Sequence, residues 1–451
     1  MSVSERLVDH ALALRWADLG EADRAAAKTF LHDSLCVGVA GRHAAHADAV
    51  LAIAQGWGEG GRASVLGRPG LRLPASSAAF VNAFQIHGQE YDCVHEPAVL
   101  HPMATVLAAL LAEIERGVPV DGVRLLTAIV AGVDVAVTLG IAAGPLRFFR
   151  PATAGIFGCV AAIASLRALS RQTARDALGH ALAFASGTMQ AHVEGKPALP
   201  VQVANAARNA LAAVDLACGG MPGVAQPIEG AFGYFALIET QGDLDGALGA
   251  LGRGHHIAGV SWKPFPTGRA AHGGIVAIQR LMADHGVVAD AVATLAYHAP
   301  PLIERLVGRP AFAGMEPGYA RLCLQWLAAV TLLQETVGLA DFRAERLADP
   351  AVLALAARVS VIADDNPDAA AFVPAYMVAT LHDGRTIRVD MTAQLGSPAW
   401  PLTPEQHRAK ARDCLAFAGL EACDDRLADT IAALDRAPDA VAALRATGIM
   451  G

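Results

Sequence analysis

The sequence predicts a mainly α protein, with a large all-helical domain plus a smaller α+β domain inserted before the C-terminal helices. Three observations carry this. Apolar residues recur with helical spacing over the first two-thirds of the chain. After about Val260 the character changes to β-branched runs with one strong hairpin signal. From Thr403 onward helical signals return. A length of 451 residues suits two domains better than one.

Glu21 to Ala40 reads as a helix stopped by Gly41, with Phe30, Leu31, Leu35 and Val39 near one face. His46 to Trp57 is a second, ending in the turn of Gly58, Gly60 and Gly61. Arg68-Pro69-Gly70 between short apolar runs predicts a small hairpin. Helical patterns follow at 75–89, 102–116, 123–142, 153–168, 173–185 and 203–218, with Pro102 at a first helical position, where its missing N–H costs nothing. Alanine and glycine dominate these stretches, which favours close helix packing over a binding surface. "GVVADAVATLAYHAP" and "VSVIADD" read as strands, and "AYMVATLHDGRTIRVDMTAQ" as two strands around an Asp383-Gly384 turn. A helix is expected around 319–333. Thr403, Pro404 and Gln406 form a capping-box start for the next helix, whose return to the helical domain leaves the α+β unit inserted.

The 43 acidic against 35 basic residues give a net charge of −8, and no long basic stretch occurs, so a nucleic-acid binder is excluded. The longest windows free of Asp, Glu, Lys and Arg, 73–89 and 177–193, carry polar residues and fall short of the roughly 18–20 apolar residues of a spanning helix. The N-terminus has Glu5, Asp9 and Asp18 where a signal peptide would be basic and then apolar. Seven scattered cysteines without a CxxC read as reduced thiols. The expectation is a cytoplasmic protein that engages neither membrane nor nucleic acid.

The densest reactive cluster is "IHGQEYDCVHEPAVLHP", which holds His87, Glu90, Tyr91, Asp92, Cys93, His95, Glu96 and His101 between two helices. Loops fixed by rigid helices concentrate catalytic groups. The cluster permits a metal site of His87, His95, His101 and Asp92, or a metal-free acid/base pocket; a plain polar loop explains it about equally well. A second group, "SWKPFPTGRAAHGG", places Lys263 between stiffening prolines, with Arg269 and His272 three apart on a helical face. Arg grips a carboxylate with two parallel hydrogen bonds and Lys acts as a point charge; a capped helix with solvated charges is the alternative. Lys196 stands just before a helix start, where a snorkelling surface residue is the simpler reading.

In order along the chain, "LHDSLCVGVAG", "AAFVNAFQIHGQEYD", "LHPMATVLAALLA", "SWKPFPTGRAAH", "YARLCLQWLAAVTLL" and "DGRTIRVDMTAQLGSPAWPLTPEQHRAKARDCL" resemble the MmgE/PrpD family, which includes 2-methylcitrate dehydratase, cis-aconitate decarboxylase and iminodisuccinate epimerase. The resemblance spans nearly the whole chain. It implies a helical domain of residues 1–265 and 396–451, an α+β lid of 266–395, a homodimer, and metal- and cofactor-independent chemistry on small di- or tricarboxylates between the two domains. His101 matches the family's His-Pro site, Lys196 a lysine before the central helix, and Lys263, Arg269 and His272 the junction motif. The acidic loop departs from the family's Asp-Phe-Asp-Asp-Thr: Glu90-Tyr91-Asp92-Cys93-Val94 stands here, with the spacing to His101 lengthened by one. Gly268 stands where the decarboxylase branch carries a His. These departures count against cis-aconitate decarboxylase.

The expected activity is a hydro-lyase of the 2-methylcitrate dehydratase kind, acting by proton abstraction next to a carboxylate. His101 would be the base, oriented by Glu90 or Asp92, and His272 or Lys263 would protonate the leaving hydroxyl. Lys196, Arg269 and His95 would bind substrate. The alternatives are an epimerase of a dicarboxylate, a metal-dependent hydrolase and a non-catalytic binding module.

Overall fold

The computed structural model describes residues 1–117, 119–240 and 242–451. It is mainly helical with two small sheets. The chain opens with a helix that sequence reading passed over, Val3–Ala13. Ser2 caps it, and Glu5 answers in a reciprocal capping box.

The core is a stack of apolar helices. Pro102–Ile114 is buried along its whole length, with Ala75–His87, Gly155–Arg167 and Ala198–Cys218 against it. Gly122–Ile141 lies on Gly155–Arg167 so closely that a Cβ on Gly132 would meet the Gly158 oxygen at 2.8 Å, and one on Gly158 would meet the Gly132 oxygen at 2.6 Å. Small residues set this spacing, as the Ala/Gly-rich composition implied. Gly122–Ile141 is long and apolar enough to cross a bilayer by length and composition, yet 89% of its apolar window is buried inside the protein. It also carries Asp134 in buried pairs with two histidines.

The small hairpin forms where Arg68-Pro69-Gly70 predicted it, as β1 (Ala63–Ser64) antiparallel to β2 (Arg72–Leu73). The second sheet contains β3 (Val292–Ala299), β4 (Val359–Ala363), β5 (Ala375–Leu381) and β6 (Thr386–Met391) in the order β4-β3-β5-β6. β3 and β4 are parallel; β5 is antiparallel to both of its neighbours, and Gly384 makes the β5–β6 turn at φ +88°. Alternate residues of β5 are buried, and His272–His285 covers β5 and β6. Thr403 and Gln406 cap Pro404–Phe417, which packs back on Glu21–Ala40. Lys410 on that helix is buried against Asp33 at 2.7 Å.

Two helix starts differ from expectation. The helix expected from Val203 begins at Ala198, because Pro200 sits in its first turn, where no intrahelical N–H bond is lost. The helix expected around 319–333 is split into a short turn, Pro317–Ala320, and the helix Leu324–Gln334, with a bridge between Gly308 and Cys323 at the break.

Candidate active site

Residues 88–101 link the helices Ala75–His87 and Pro102–Ile114, so both ends of the loop are anchored in the core. Glu90 and Val99 take left-handed backbone (φ +49° and +48°), a conformation that non-glycine residues hold only when their surroundings enforce it. Val94 pairs with Ser261, which sews the acidic loop to the 261–272 junction. The two most reactive stretches of the sequence thus lie side by side.

At the centre is Asp92, fully buried. Its Oδ2 lies 3.1 Å from His101 Nδ1 and 3.1 Å from His87 Nδ1, and the two rings meet edge-on with centroids 4.9 Å apart. Burial opposes ionisation of Asp92, but the two imidazoles override it and hold the carboxyl well below its usual range. Burial depresses the His101 pKa, with Lys263 acting in the same direction against Asp92. His87 goes the other way: Asp92 and Glu90 outweigh its burial and raise its pKa. With Nδ1–H donated to the carboxylate, His101 keeps Nε2 as its basic nitrogen, and its side chain is 13% exposed.

Glu90 is held on the other side. Lys263, wholly buried, donates to Glu90 Oε2 at 2.9 Å and to the Glu90 carbonyl at 3.1 Å. Burial would raise the Glu90 pKa, yet Lys263, His87 and His101 bring it down to about 2. His87 Nε2 is 3.5 Å from Glu90 Oε1 and has no hydrogen-bond partner among the described residues. Behind the loop, Lys410 donates to the Tyr91 carbonyl at 3.0 Å, so the backbone between Glu90 and Asp92 is fixed from the C-terminal helix.

Two cavities share Glu90 and Leu322 as walls. The larger, about 420 Å³, is lined by His43, His87, Lys196, Arg321 and Arg343 among others. The smaller, about 60 Å³, is lined by His101, Arg150, His192, Gly268 and Arg269. Lys196 is exposed at the larger cavity, beside Gly195, where a Cβ would come within 2.6 Å of Tyr319. Arg321 is the cation that sequence reasoning missed. It donates to the carbonyls of Gln89 (2.9 Å) and Pro266 (2.6 Å) and to the Gln89 side chain, and burial lowers its pKa to about 9. Its signal was a single Arg in the otherwise apolar run "YARLCLQWLAAV". Arg150 and His192 were also missed; burial keeps His192 neutral, with a pKa of about 3.

The remaining predicted residues stand further back. Arg269 lines the smaller cavity, but its guanidinium already serves Glu96 (2.7 Å) and the carbonyls of Trp262 (3.1 Å) and Leu395 (2.7 Å). It ties the acidic loop, the junction and the return segment together. His272 lies behind Arg269, its Nδ1 3.3 Å from Arg269 Nη1 and its Nε2 3.4 Å from the Thr267 carbonyl. Burial drives its pKa far down, and it lines neither cavity. His95 is turned away: its Nδ1 accepts from the Ala98 N–H and its ring faces His256. Of the residues expected to form a metal site, His87, Asp92 and His101 therefore lie at ligand distance from one another, without His95. Lys263 stands close enough to depress the His101 pKa and would oppose a cation there.

This arrangement can take a proton at His101 and hold a protonated imidazole at His87, beside a cavity rimmed by cations. Comparison with known proteins shows the family. Residues 5–247 match the model of the MmgE/PrpD N-terminal domain and residues 265–436 that of the MmgE/PrpD C-terminal domain. The cis-aconitate decarboxylase of Mus musculus is 28% identical over 432 residues, covering 91% of this chain and 86% of its own length. The cis-aconitate decarboxylase of Homo sapiens is 28% identical, covering 77% of this chain and 74% of its own. The cis-aconitate decarboxylase-like protein oryM of Aspergillus oryzae is also 28% identical, with 86% and 85% covered.

Proposed function

The chain belongs to the MmgE/PrpD family and is an enzyme of the lyase class; on that premise we propose that it is a cofactor-independent hydro-lyase acting on a small di- or tricarboxylate. The observation that carries this is the Asp92-centred pair of imidazoles, each 3.1 Å from Asp92 Oδ2: His101 lines the smaller cavity, and His87 lines the larger one, whose walls bear Lys196, Arg321 and Arg343. A polycarboxylate entering a partly apolar cleft needs cations to replace its lost hydration. Its reacting carbon sits at the wall shared by the two cavities. His101 Nε2 takes the proton next to a carboxylate, and the charge that develops on that carboxylate is stabilised by the rim cations. His87, whose pKa is raised, supplies the proton to the departing hydroxyl. That role replaces the one first given to His272 and Lys263, which are walled off from both cavities. Residues 266–395 form the lid over this site, and the working unit is a homodimer.

A second reading, decarboxylation of a cis-aconitate-like substrate, is favoured by the names of the relatives. Gly268 weighs against it. Where the decarboxylase branch carries a His, a Cβ here would come within 2.6 Å of Leu322 Cδ2, so a side chain at this position would need Leu322 to move. A proton-exchange screen in deuterated water across citrate-, methylcitrate-, aconitate- and tartrate-like acids tests both readings. Exchange at one carbon, with dehydration, supports the hydro-lyase. Carbon dioxide release from cis-aconitate with no hydration chemistry would replace it by the second reading, and no exchange or turnover with any of them would end both.

A further inference from the structure

A second imidazole–carboxylate–imidazole group lies away from both cavities. His10 comes from the first helix, Asp134 from the middle of Gly122–Ile141, and His255 from the stretch just before the short turn His256–Gly259. His10 Nε2 is 2.9 Å and His255 Nδ1 2.7 Å from the same oxygen, Asp134 Oδ2, and the three ligand atoms all lie within 4.8 Å of one another. We propose that these three residues bind a divalent transition-metal ion of the zinc class, which clasps the N-terminal helix to the helical body.

The donor set is the first reason. Two imidazole nitrogens and one carboxylate oxygen suit zinc, whose remaining coordination position water commonly fills. With bonds of about 2.0–2.1 Å, ligand atoms around a tetrahedral ion stand roughly 3.3 Å apart, so the group has to open by only about half an ångström. Orientation is the second reason. The other carboxylate oxygen, Asp134 Oδ1, accepts from the His256 backbone N–H at 2.8 Å, which fixes the carboxylate plane as outer-shell partners do at metal centres. His256 itself is tied to Thr138 at 3.3 Å.

Electrostatics supplies the third reason. Asp134 is buried in the most apolar long helix of the chain, where a carboxylate is retained when it is paired or ligates a metal. The charged side chain besides Asp134 that acts on His255 is Asp23, another acid. Among the described residues the charges acting on His255 are both acids, whereas Lys263 acts on His101. Access is the fourth: the His10 and His255 side chains are 11% and 9% exposed, so an ion arrives from solvent without unfolding anything.

The ion has a structural role. Its three ligands are separated by more than a hundred positions each, and an ion binding them only in the folded state stabilises that state. The proposal does not depend on the reaction catalysed at His101. It is tested on the full-length protein, stripped with chelator, dialysed against micromolar zinc chloride and assayed for bound metal. Wild type is expected to retain about one equivalent and to gain thermal stability from zinc. His10→Gln and His255→Gln, which keep the buried Asp134 and one of its partners, are expected to lose both the equivalent and the zinc-dependent rise in Tm. His101→Asn is expected to keep them. A wild-type protein that retains no zinc would overturn the proposal, as would an equivalent that survives both histidine substitutions or disappears in His101→Asn.

Discussion

The chain builds the same three-residue group twice, and the surroundings of each copy differ. Around Asp92 the two histidines face cavities, Lys263 stands nearby, and the pKa values of the imidazoles are driven apart: His87 up, His101 down. Neither of those cavities is lined by His10, Asp134 or His255, and the two histidines share one carboxylate oxygen on the edge of the helical body. The lesson is that a histidine–carboxylate pair is made reactive by what lies beyond it. Glu90 joins Asp92 in raising His87 while burial and Lys263 lower His101, and a void gives substrate access to them. Without such a void, the same atoms serve structure or hold an ion.

The sharpest way to break this comparison is to remove one imidazole from each group. His101→Asn is expected to lower kcat by about 10²- to 10⁴-fold with little change in thermal stability. His255→Gln is expected to leave kcat within about twofold. Equal losses would show that the cavity-side group has no special role.

The next effect is on stability. Lys263→Met leaves Glu90 buried without its cation and is expected to cost about 3–5 kcal/mol in urea unfolding. Pairing it with Glu90→Gln should recover part of the loss, since two neutral groups then face each other. Loss of one buried, hydrogen-bonded carboxylate by Asp134→Asn in metal-free protein is expected to cost less, about 1–3 kcal/mol.

Substrate binding comes third. Lys196→Ala is expected to raise KM about tenfold while kcat is kept, as suits a charged hydrogen bond made equally in ground and transition states. A fall in kcat at constant KM would move Lys196 from binding into the chemistry.

The smallest effects are in pH dependence. The lowered pKa of His101 keeps the base unprotonated below the ordinary imidazole value of 6.5, so the acid limb of kcat/KM should fall below that pH. Lys263 contributes to the lowering, and Lys263→Met should therefore move the limb upward. Stability has its own acid window. His32 and His192 are buried with pKa values of about 3, so the unfolded chain takes up protons that the folded chain refuses. Their contribution is full above pH 6.5 and is lost as pH falls toward 3. Glu90 adds a loss from the ordinary carboxylate value of 4.5 down to about 2. Tm measured against pH should decline steadily through these windows.

Much of the helical frame was legible because period and punctuation act locally. Glu21–Ala40 forms as its spacing and Gly41 predict, Thr403 and Gln406 close the expected capping box, and Asp383-Gly384 turns the expected hairpin. The first helix escaped notice although Ser2 and Glu5 carry its signal. The site was half legible. Glu90, Asp92, His101, Lys196 and Lys263 were singled out, and the structure places all of them on or just behind the cavity walls. His87 was noticed only as a metal ligand, because nothing local says that one imidazole of a pair will be raised and the other lowered. His95 looked equivalent to His101, yet its ring turns to His256.

By itself the sequence determined the elements, the family and the composition of the acidic loop, since these depend on near neighbours and on motifs in order. Only tertiary structure decided which cations reach the cavity, which are consumed by protein acceptors, and which of two like histidine–aspartate groups faces a void. Those outcomes depend on desolvation and on charges brought together from positions as far apart as Asp33, Glu90, Lys263, Arg321 and Lys410. Electrostatic energy follows distance in space and local polarity, and neither is written in separation along the chain.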